Sequence, residues 1–421
     1  MTTVNKGFRF VDLFCGIGGF HQAMESLGGE CVFACDIDGH CRDTYLKNYG
    51  LEPASDITKI DARDVPEHDV LCGGFPCQSF SKAGKRLGFD DPTKGTLFFD
   101  VIRIIQEKRP EYVLLENVRN LASHDGGNTW RVIYESLRDA GYELSETPTL
   151  FSPHWIGIPH HRERVFIMAV RTDIEDSLPQ FCFNTEHIPE CNIDSVLENE
   201  SEVDNRYRLT EPYIQLLDYW NEFIHNTCVK ETGALPGFPI WSLCFYRDGS
   251  EGNIEEMPKW KQNFVRKNIE YYEQNRKFIN EWLYDDAGIE LFFGSKAKLE
   301  WQCGLDAKHD IWDKIVQIRP SGVRVRPATY FPALVAMDQH SIICSRRRYM
   351  TPRECARIQS FPDSFILDES DAQAYKQFGN SVNVEVVKLF GQFLFGDEDV
   401  RRNFSHSNQF GSPEIIQDVL I

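Results

Sequence analysis

The side chain best suited to covalent chemistry is a cysteine that follows a proline in a loop of small residues. The loop reads Gly73-Gly74-Phe75-Pro76-Cys77-Gln78-Ser79-Phe80-Ser81 and comes directly after the apolar segment 69–73. A cysteine thiolate is a strong nucleophile, and ligands of open α/β folds bind at the carboxyl ends of strands. The loop therefore predicts Cys77 as a nucleophile. The alternative is a buried structural cysteine, which is the commoner fate of this residue type.

A carboxylate and two arginines occupy the ends of later strand-like segments. Glu116 closes the apolar segment 111–116, and Arg162 and Arg164 precede the segment 165–170. A carboxyl group can transfer a proton, and an arginine can stabilise a developing negative charge. Together with Cys77 they predict a catalytic site on one rim of a sheet. Arginines at alternate positions of an edge strand can also be merely solvated.

A glycine-rich turn joins the first strand-like segment to the first helix-like one. It reads Asp12-Leu13-Phe14-Cys15-Gly16-Ile17-Gly18-Gly19. Such glycines let a ligand approach the backbone closely, although similar turns also serve packing alone. A dinucleotide site would want a third glycine where His21 stands, so a NAD site is disfavoured. Asp36 ends the next strand-like segment and could hold ribose hydroxyls.

The segments that carry these residues alternate between strand-like and helix-like patterns over 8–171. Short apolar runs at 8–14, 31–36, 69–73, 111–116 and 165–170 suit buried strands. Between them lie amphipathic stretches with apolar residues on one helical face, around 20–27, 97–105 and 130–137. This alternation predicts an α/β fold with a largely parallel sheet covered by helices on both sides.

The pattern changes after Arg171. Residues 172–310 are acidic, irregular and rich in aromatic side chains, with one helical piece expected over 260–282. Residues 311–374 carry eight arginines and include Thr351-Pro352-Arg353-Glu354, which reads as a helix-capping box. The tail returns to a helix over 381–395. We therefore expect three segments, 1–171, 172–374 and 375–421.

Charge is distributed unevenly along the chain. The net charge is -19, and residues 171–310 hold 27 Asp and Glu against 14 Lys and Arg. Residues 319–357 hold eight arginines against only Asp338 and Glu354. A local arginine surface can bind phosphates despite a negative total, although a solvated basic face would look the same.

Compartment and metal binding follow from the remaining composition. No apolar run approaches the roughly 20 residues of a membrane span, and the N-terminus resembles no signal peptide. The 13 cysteines form no CxxC pair, which favours free thiols in a reducing cytoplasm. Cys31, Cys35, His40 and Cys41 could be a metal site or core residues of a strand. We expect core residues and no metal.

Six ordered motifs resemble those of the cytosine-C5 DNA methyltransferases of bacterial restriction–modification systems. They cover both ends of the chain and leave out its middle. The motifs are Phe14-Cys15-Gly16-Ile17-Gly18-Gly19, Gly74-Phe75-Pro76-Cys77-Gln78, Glu116-Asn117-Val118, Arg162-Glu163-Arg164, Thr351-Pro352-Arg353-Glu354-Cys355 and Gln377-Phe378-Gly379-Asn380-Ser381-Val382.

The resemblance implies a fold and an activity. The fold would be a Rossmann-like, S-adenosylmethionine-dependent methyltransferase domain, 1–171, with a smaller target-recognition domain, 172–374. A C-terminal helix, 375–421, would return to the first domain. Cys77, assisted by Pro76, would add to the cytosine ring, Glu116 would contact its N3 edge, and Arg164 and Arg162 would contact or support its O2 side.

The resemblance also assigns a cofactor pocket. Phe14 would stack on adenine, Asp36 would bind ribose hydroxyls, and Asp56 would bind the adenine amine. The remaining pocket residues would be Gly16, Gly18, Ile37, Ile57, Leu97, Asn380 and Val382. Three positions depart from the usual pattern, namely Ile37 for Trp, Ser55 for Gly and His160 for Gln. None of them removes a catalytic group.

Double-stranded DNA is the expected partner, bound by a cytoplasmic monomer with no obligate protein partner and no membrane. The residues expected to contact DNA are Gln78, Ser81, Arg319, Arg324, Arg326, Arg347 and Thr351. Two alternatives remain, an RNA methyltransferase of the same superfamily acting on transfer RNA and a catalytically silent DNA-binding protein. The long middle of the chain favours a base-reading domain over the first, and the intact Cys77, Glu116 and Arg164 argue against the second.

Overall fold

The computed structural model describes residues 7–76, 97–183, 188–230, 235–245, 254–283, 294–304, 310–335 and 340–405. Cys77, Gln78 and Ser81 lie outside these residues. The chain divides into two compact units, the first comprising 1–189 and 356–421 and the second 190–355. The limits of these two compact units differ from the expected segment limits at 171 and 374. The division into catalytic, target-recognition and C-terminal segments remains a prediction.

The first unit is an α/β structure built on a seven-stranded sheet with the order β2-β1-β3-β4-β8-β5, in which β6 also pairs with β8. The seven strands of the sheet are β1 Phe8–Leu13, β2 Gly29–Cys35, β3 Val70–Gly74, β4 Tyr112–Val118, β5 Tyr142–Leu144, β6 Thr149–Phe151 and β8 Arg164–Arg171. A short strand outside this sheet is β7 His160–His161. Its first helices are α1 Gly19–Ser26, α2 Gly39–Tyr49, α3 Leu97–Lys108 and α4 Asn128–Asp139.

The five predicted strands and three predicted helices of this unit are confirmed. The apolar residues that predicted them are the ones that the structure buries. In α3, Phe98, Val101, Ile102 and Ile105 are at most 3% exposed and pack in the core of the sheet. Strands β1 to β4 are parallel to one another. Strand β8 runs antiparallel to β4, which the sequence pattern did not reveal.

The C-terminal elements of the first unit are α9 Asp371–Asn380, α10 Val384–Leu394 and α11 Glu398–Phe404. Helix α10, predicted within 381–395, packs against α1. A Cβ built on Gly391 would lie 2.8 Å from Leu27 and 3.1 Å from Met24, so only glycine permits this approach. On another side of α10, the ring of Phe390 stacks on Phe166 of β8, with centroids 4.4 Å apart. The tail therefore belongs to the sheet unit.

The second unit contains a six-stranded sheet with the order β15-β14-β11-β12-β10-β9. The six strands of this sheet are β9 Ile240–Trp241, β10 Lys298–Trp301, β11 Lys314–Arg319, β12 Gly322–Pro327, β14 Ile342–Ile343 and β15 Arg348–Tyr349. A short strand outside this sheet is β13 Phe331–Pro332. Its helices are α5 Glu211–Lys230, α6 Lys259–Gln274 and α7 Arg276–Leu283, and α8 Pro352–Ile358 spans the change of unit.

Two expectations about this middle region were wrong. The region described as irregular contains the 20-residue helix α5, in which Leu216, Leu217 and Trp220 are fully buried. The single helix expected over 260–282 is two helices, because the chain turns at Asn275. The Asn275 side chain donates to the Tyr271 carbonyl at 2.8 Å, and the Asn275 backbone amide donates to the same carbonyl at 3.2 Å.

The two faces of the second sheet differ in polarity. Val316, Val323, Val325 and Leu299 are fully buried in the core of this unit. The intervening residues point the other way because side chains alternate along a strand. The residues of this polar face are Gln317, Arg319, Arg324, Arg326, Lys298 and Glu300.

Candidate active site and DNA interface

Strand register brings the predicted catalytic groups to one rim of the first sheet. Leu13 is paired with both Cys35 and Gly73, and Gly74 is paired with Glu116. The chain that follows each of these strands therefore leaves the sheet at the same level. The glycine turn, Asp36, the start of the proline-cysteine loop (through Pro76) and Glu116 accordingly share this rim, as expected for a ligand site of an open α/β fold.

Glu116 is buried and paired with an arginine. Its carboxylate lies 2.9 Å from Nε of Arg164, and the residue is 8% exposed. Burial raises the pKa of Glu116, while Arg164 and then Arg162 act in the opposite direction. The carboxyl group therefore takes up a proton more readily than an exposed glutamate, even beside an arginine.

Arg162 occupies a more deeply buried position and joins two parts of the first unit. Its guanidinium donates to the carbonyls of Gly379 and Ser381 at 3.0 and 2.9 Å. Burial, with Arg164 second, lowers the pKa of Arg162 to about 9. The side chain thus fixes the last motif of the chain against the strand that carries Arg164, in addition to any electrostatic effect on the site.

A small pocket, with free space for about one water molecule, lies at these groups. Three charged side chains and five other residues line it: Glu116, Arg162, Arg164, Pro153, Phe166, Val382, Asn383 and Val386. A carboxyl group and two guanidinium groups thus meet an otherwise largely apolar wall, and they can hydrogen-bond to a polar group of a ligand.

The start of the nucleophile loop is held next to Glu116. The Asn117 side-chain amide donates to the Phe75 carbonyl at 2.8 Å, and Phe75 is 3% exposed. Pro76 follows at the surface. Cys77 itself lies outside the described residues, so its role stays a prediction. The geometry fixes only where its loop departs, which is beside the carboxylate.

The glycine turn has a left-handed backbone at three positions. Phe14, Gly16 and Gly18 all have positive φ, at 56, 53 and 87°. A Cβ on Gly18 would clash with the Tyr49 ring, whereas one on Gly16 would meet nothing within 4 Å. Gly18 is therefore required for packing, and open space beside Gly16 leaves room for a ligand to approach the backbone.

Asp36 is tied to this turn. One of its carboxylate oxygens accepts from the Gly16 amide and the other from the Asp38 amide, both at 2.8 Å. Burial raises the pKa of Asp36. Each oxygen retains a second lone pair, so the carboxylate can still accept a hydroxyl. Ile37 beside it is 79% exposed, an apolar side chain available to a ligand.

The other predicted pocket residues vary in environment. Asp56 caps the short helical turn Ile57–Lys59 through the Thr58 amide at 3.1 Å, and its hydrogen bonds to Thr58 lower its pKa. Ile57 is 4% exposed, and Leu97 packs against the core at the start of α3. Asp56 therefore has a helix-capping role whether or not it binds a ligand.

The last motif lies beside the glycine turn. Val382 Cγ2 comes within 2.6 Å of the place that a Cβ on Gly19 would take, and Asn380 is exposed at the end of α9. Lys376 of the same helix binds the Asp38 carboxylate at 2.7 Å. The structure thus brings together residues near the two ends of the described chain.

A buried polar cluster below the turn escaped sequence analysis. His21 Nδ1 lies 2.6 Å from the Tyr45 hydroxyl, and the His21 ring stacks on Tyr49 at 3.8 Å. The Tyr49 hydroxyl donates to the Gly18 carbonyl at 3.0 Å. His21 entered the sequence argument only as a missing glycine, although its place on the buried face of α1 was a usable signal.

The predicted DNA-reading arginines lie on the polar face of the second sheet. Arg324 binds Glu300, which belongs to the acidic segment 172–310, at 2.7 Å. Arg319 bonds to the Gln317 side chain, and burial lowers its pKa to about 10. Arg326 is half-buried, and its Nε has no hydrogen-bond partner in the described part of the chain.

The run 346–348 does not act as one phosphate-binding surface. Arg348 is fully buried and binds Glu354 at 2.7 Å and Glu200 at 2.8 Å. Arg346 lies 3.3 Å from Asp194. Arg347 is exposed, and its guanidinium lies 4.5 Å from the centre of the Trp312 ring. Only Arg347 keeps the surroundings expected of a phosphate contact.

Thr351 is a helix cap. It is 2% exposed, its amide donates to Glu354 at 2.9 Å, and the Glu354 amide donates to its hydroxyl at 3.1 Å. This confirms the predicted capping box. The hydroxyl also contacts Glu198. A DNA contact through this side chain has no support in its geometry, because a buried and engaged hydroxyl has little left to offer.

Two further features bear on function. Within the described ranges, no group of three or more His, Cys, Asp or Glu side chains is arranged to hold a metal ion. Among the same residues, no helix is both long and apolar enough to cross a membrane.

Comparison with known proteins gives consistent results. The chain is 35% identical to the type II methyltransferase M.AluI of Cellulosimicrobium cellulans, over 92% of each chain. It is 31% identical to M.HhaI of Haemophilus parahaemolyticus, over 91% of this chain and 92% of the relative. A solved candidate DNA modification methyltransferase from an E. coli prophage shares the fold, with a TM-score of 0.54, 18% identity, and coverage of 92% of this chain and 98% of the other.

The profile of the C-5 cytosine-specific DNA methylases matches residues 8–395, which include the rim with Glu116 and Arg164, the polar sheet face and the last motif. That range is most of the chain, so the chain belongs to the C-5 cytosine-specific DNA methylase family.

Proposed function

We propose that this chain methylates carbon 5 of a cytosine in a specific duplex DNA site, with Cys77 as the nucleophile. The observation that carries the proposal is the register of Gly74 with Glu116. It sets the start of the nucleophile loop beside a buried carboxyl group that Arg164 contacts at 2.9 Å. Family membership supports the same reaction.

Carbon 5 of cytosine is a poor nucleophile, so the enzyme must first increase its electron density. Addition of the Cys77 thiolate to C6 breaks the C5–C6 double bond and moves its electrons toward C5. Glu116 contacts N3 and the exocyclic amine, and a protonated carboxyl can give N3 the proton that the new charge requires. The raised pKa of Glu116 suits this role.

The two arginines act on the opposite edge of the ring. Arg164 donates to O2 of the cytosine, where negative charge develops, and Arg162 supports it from its buried position. After methylation, loss of the C5 proton returns electrons to the ring and expels the Cys77 thiolate. Base stacking covers C5 and C6 in a duplex, so the target cytosine must leave the helix at a cost of a few kcal/mol.

The glycine turn fits the cofactor of this family. S-adenosylmethionine supplies an electrophilic methyl group when it is bound. The open space beside Gly16 admits a ligand to the backbone, Asp36 retains acceptor capacity for ribose hydroxyls, and Ile37 is exposed. We assign Phe14 to adenine stacking and Asp56 to the adenine amine. Gly18, Ile57, Leu97, Asn380 and Val382 complete the proposed pocket.

DNA contacts divide into two classes. Arg319, Arg324 and Arg326 share the polar sheet face, and we propose that at least one reads a guanine through O6 and N7, which fit its fork. Arg347 contacts phosphate, which fixes position without carrying sequence information. Gln78 and Ser81, which flank the nucleophile in sequence, contact DNA near the extruded base.

The biological setting follows from the relatives. M.AluI and M.HhaI are named type II methyltransferases. We propose that this chain likewise protects DNA from a cognate restriction endonuclease, as a cytoplasmic monomer without an obligate protein partner. Size-exclusion chromatography with light scattering tests the oligomeric state directly.

Methyl transfer from tritiated S-adenosylmethionine to duplex DNA, compared with transfer RNA, tests the function. Label in DNA alone supports the proposal, label in transfer RNA alone supports the RNA alternative, and no label in either supports a silent DNA-binding protein. Bisulfite sequencing of plasmid DNA from cells that express the chain then identifies the site.

A further inference from the structure

Helix α6 covers an edge of the second sheet. The Trp241 amide of β9 donates to the Asn268 side chain at 2.7 Å, and the Asn268 amide group donates to the Pro239 carbonyl at 3.1 Å. Asn268 is fully buried, so this attachment is firm. The exposed part of α6 is thereby fixed beside β9 and β10.

Two lysines at this edge are held over aromatic rings. The Lys261 ammonium lies 5.3 Å from the centre of the Trp241 ring, and the Lys298 ammonium lies 5.0 Å from the centre of the Phe264 ring. The two rings are 5.8 Å apart. Cation–π contacts restrict where an ammonium group can lie without neutralising its charge. The two lysine side chains therefore hold their positive charges at defined positions.

The same edge is electrostatically unbalanced. In the part of the chain that the structure describes, neither Lys261 nor Lys298 has a carboxylate within salt-bridge distance, whereas Arg324 and Arg348 do. Glu255, close to α6 in sequence, is engaged by Arg266 at 2.6 Å. Fixed ammonium groups that have no carboxylate partner among the described residues favour a negatively charged ligand.

An exposed tryptophan adjoins the lysines. Trp260 is 75% exposed at the first turn of α6, between Lys259 and Lys261 in sequence. Leaving so large an apolar ring exposed to water is unfavourable. The indole N–H is a hydrogen-bond donor that can bind a phosphate oxygen.

The edge continues the polar face that carries the proposed DNA-reading arginines. Lys298 is paired with Trp241, and Glu300 of the same strand is paired with Arg324. Lys298, Glu300 and Arg324 therefore lie on one side of one sheet. We propose that the lysine–aromatic edge, defined as Trp241, Trp260, Lys261, Phe264 and Lys298, binds the phosphate backbone of the duplex outside the recognition site.

This inference rests on the proposed function, and its logic is electrostatic. A chain with a net charge of -19 repels DNA at long range, so productive binding needs local cationic surfaces. A ligand that contacts the arginines of β12 and continues along the same sheet face meets Lys298 and then Lys261. A duplex is such a ligand, with phosphates at regular intervals on both sides of its site.

Duplexes of two lengths test the inference by fluorescence anisotropy over a series of salt concentrations. The shorter ends at the recognition site, and the longer extends about one helical turn, or about 10 base pairs, beyond it on each side. The wild type should bind the longer duplex more tightly and with the steeper salt dependence. Lys261→Gln and Lys298→Gln should each lower that slope by about one unit and reduce the preference for length.

Two further variants make the result specific. Trp260→Ala should weaken binding of the longer duplex without changing the salt slope, since an indole carries no charge. Lys277→Gln, an exposed lysine of α7 that is not part of the edge, should keep both the slope and the length preference of the wild type.

The outcomes separate this inference from the proposed function. If the wild type methylates DNA but Lys261→Gln and Lys298→Gln keep its slope and length preference, the edge does not bind DNA and only this inference fails. If the wild type methylates no DNA, the proposed function fails on its own assay. Equal binding of both duplexes by the wild type would also overturn the inference, because it would show that DNA outside the recognition site adds nothing to the affinity.

Discussion

Nε of Arg164 lies 2.9 Å from the Glu116 carboxylate, yet burial still leaves the pKa of Glu116 raised. Pairing alone would lower that pKa, so the desolvation of the carboxylate is the larger effect. In a surface salt bridge the order would be reversed. This pair is therefore a proton-accepting carboxyl group beside a fixed cation, as protonation at N3 of a bound cytosine requires.

Replacing Glu116 by Gln should slow methyl transfer by about 10²–10⁴-fold, the usual range for loss of a general acid or base. The amide retains the shape of the side chain but cannot exchange a proton. Single-turnover rates with saturating cofactor and DNA measure the effect. Glu135→Gln, at an exposed position of α4, is the matched control and should keep the wild-type rate. A Glu116→Gln variant with a wild-type rate would exclude this residue from the chemistry.

Asp36→Ala should weaken S-adenosylmethionine binding by about 1–3 kcal/mol, because it leaves hydrogen-bonding groups unpaired. The Gly16 and Asp38 amides would lose their acceptor, and the proposed ribose contact would be lost as well. Isothermal titration calorimetry with the full-length protein gives the dissociation constant. An unchanged constant would refute the assignment of Asp36 to the cofactor.

His21 should make the fold sensitive to acid. Burial lowers its pKa from 6.5 to about 4, so the unfolded chain binds a proton that the folded chain refuses. The stability that His21 contributes is complete above about pH 6.5 and is lost as the pH falls toward 4. The loss between pH 7.5 and 4.5 should be about 2–3 kcal/mol.

Urea unfolding of the wild type and of His21→Gln at both pH values measures this contribution, since other buried histidines are common to the two proteins. The free energy of unfolding of the wild type should fall by more than that of the variant. Parallel declines in the two proteins would mean that His21 does not titrate as described.

The arginines of β11 and β12 should behave differently from Arg347. Replacing Arg319, Arg324 or Arg326 singly by Gln should, for at least one, reduce discrimination between the cognate and a mismatched duplex by about 1–3 kcal/mol. Arg347→Gln should weaken both complexes alike and lower the salt slope by about one unit.

Binding isotherms on matched and mismatched duplexes at several salt concentrations decide between these behaviours. If none of the three variants changes the ratio of the two affinities, β11 and β12 do not read the sequence. Arg326 is the most informative position, because its Nε lacks a partner among the described residues.

The sequence predicts the first unit better than the second, for physical reasons. Buried parallel strands such as Val70–Gly74 are continuous apolar runs, and their ends fix where the site residues lie. Strand direction has no such signal, so the antiparallel β8 was not foreseen. In the second unit, the fold depends on pairing between short strands that are distant in sequence, and local patterns do not reveal that pairing.

Arg346, Arg347 and Arg348 illustrate the limit. They are equivalent in sequence, but one is exposed over a ring, one faces Asp194, and one is buried against Glu354 and Glu200. Their carboxylate partners are distant in sequence or were assigned to a helix cap. Thr351 shows the same limit. Its capping box was predicted correctly, but its assignment to DNA did not consider that the side chain is buried.

The most direct test of the account is covalent trapping of Cys77. Duplex DNA with 5-fluorocytosine at the target position cannot lose a proton from C5, so the thiolate cannot be expelled after methylation. With S-adenosylmethionine present, the wild type should form a denaturation-resistant protein–DNA adduct, and peptide mapping should place it on Cys77. Cys77→Ala should bind the duplex but form no adduct and transfer no methyl group. An adduct on another residue, or methyl transfer above background by Cys77→Ala, would contradict the account.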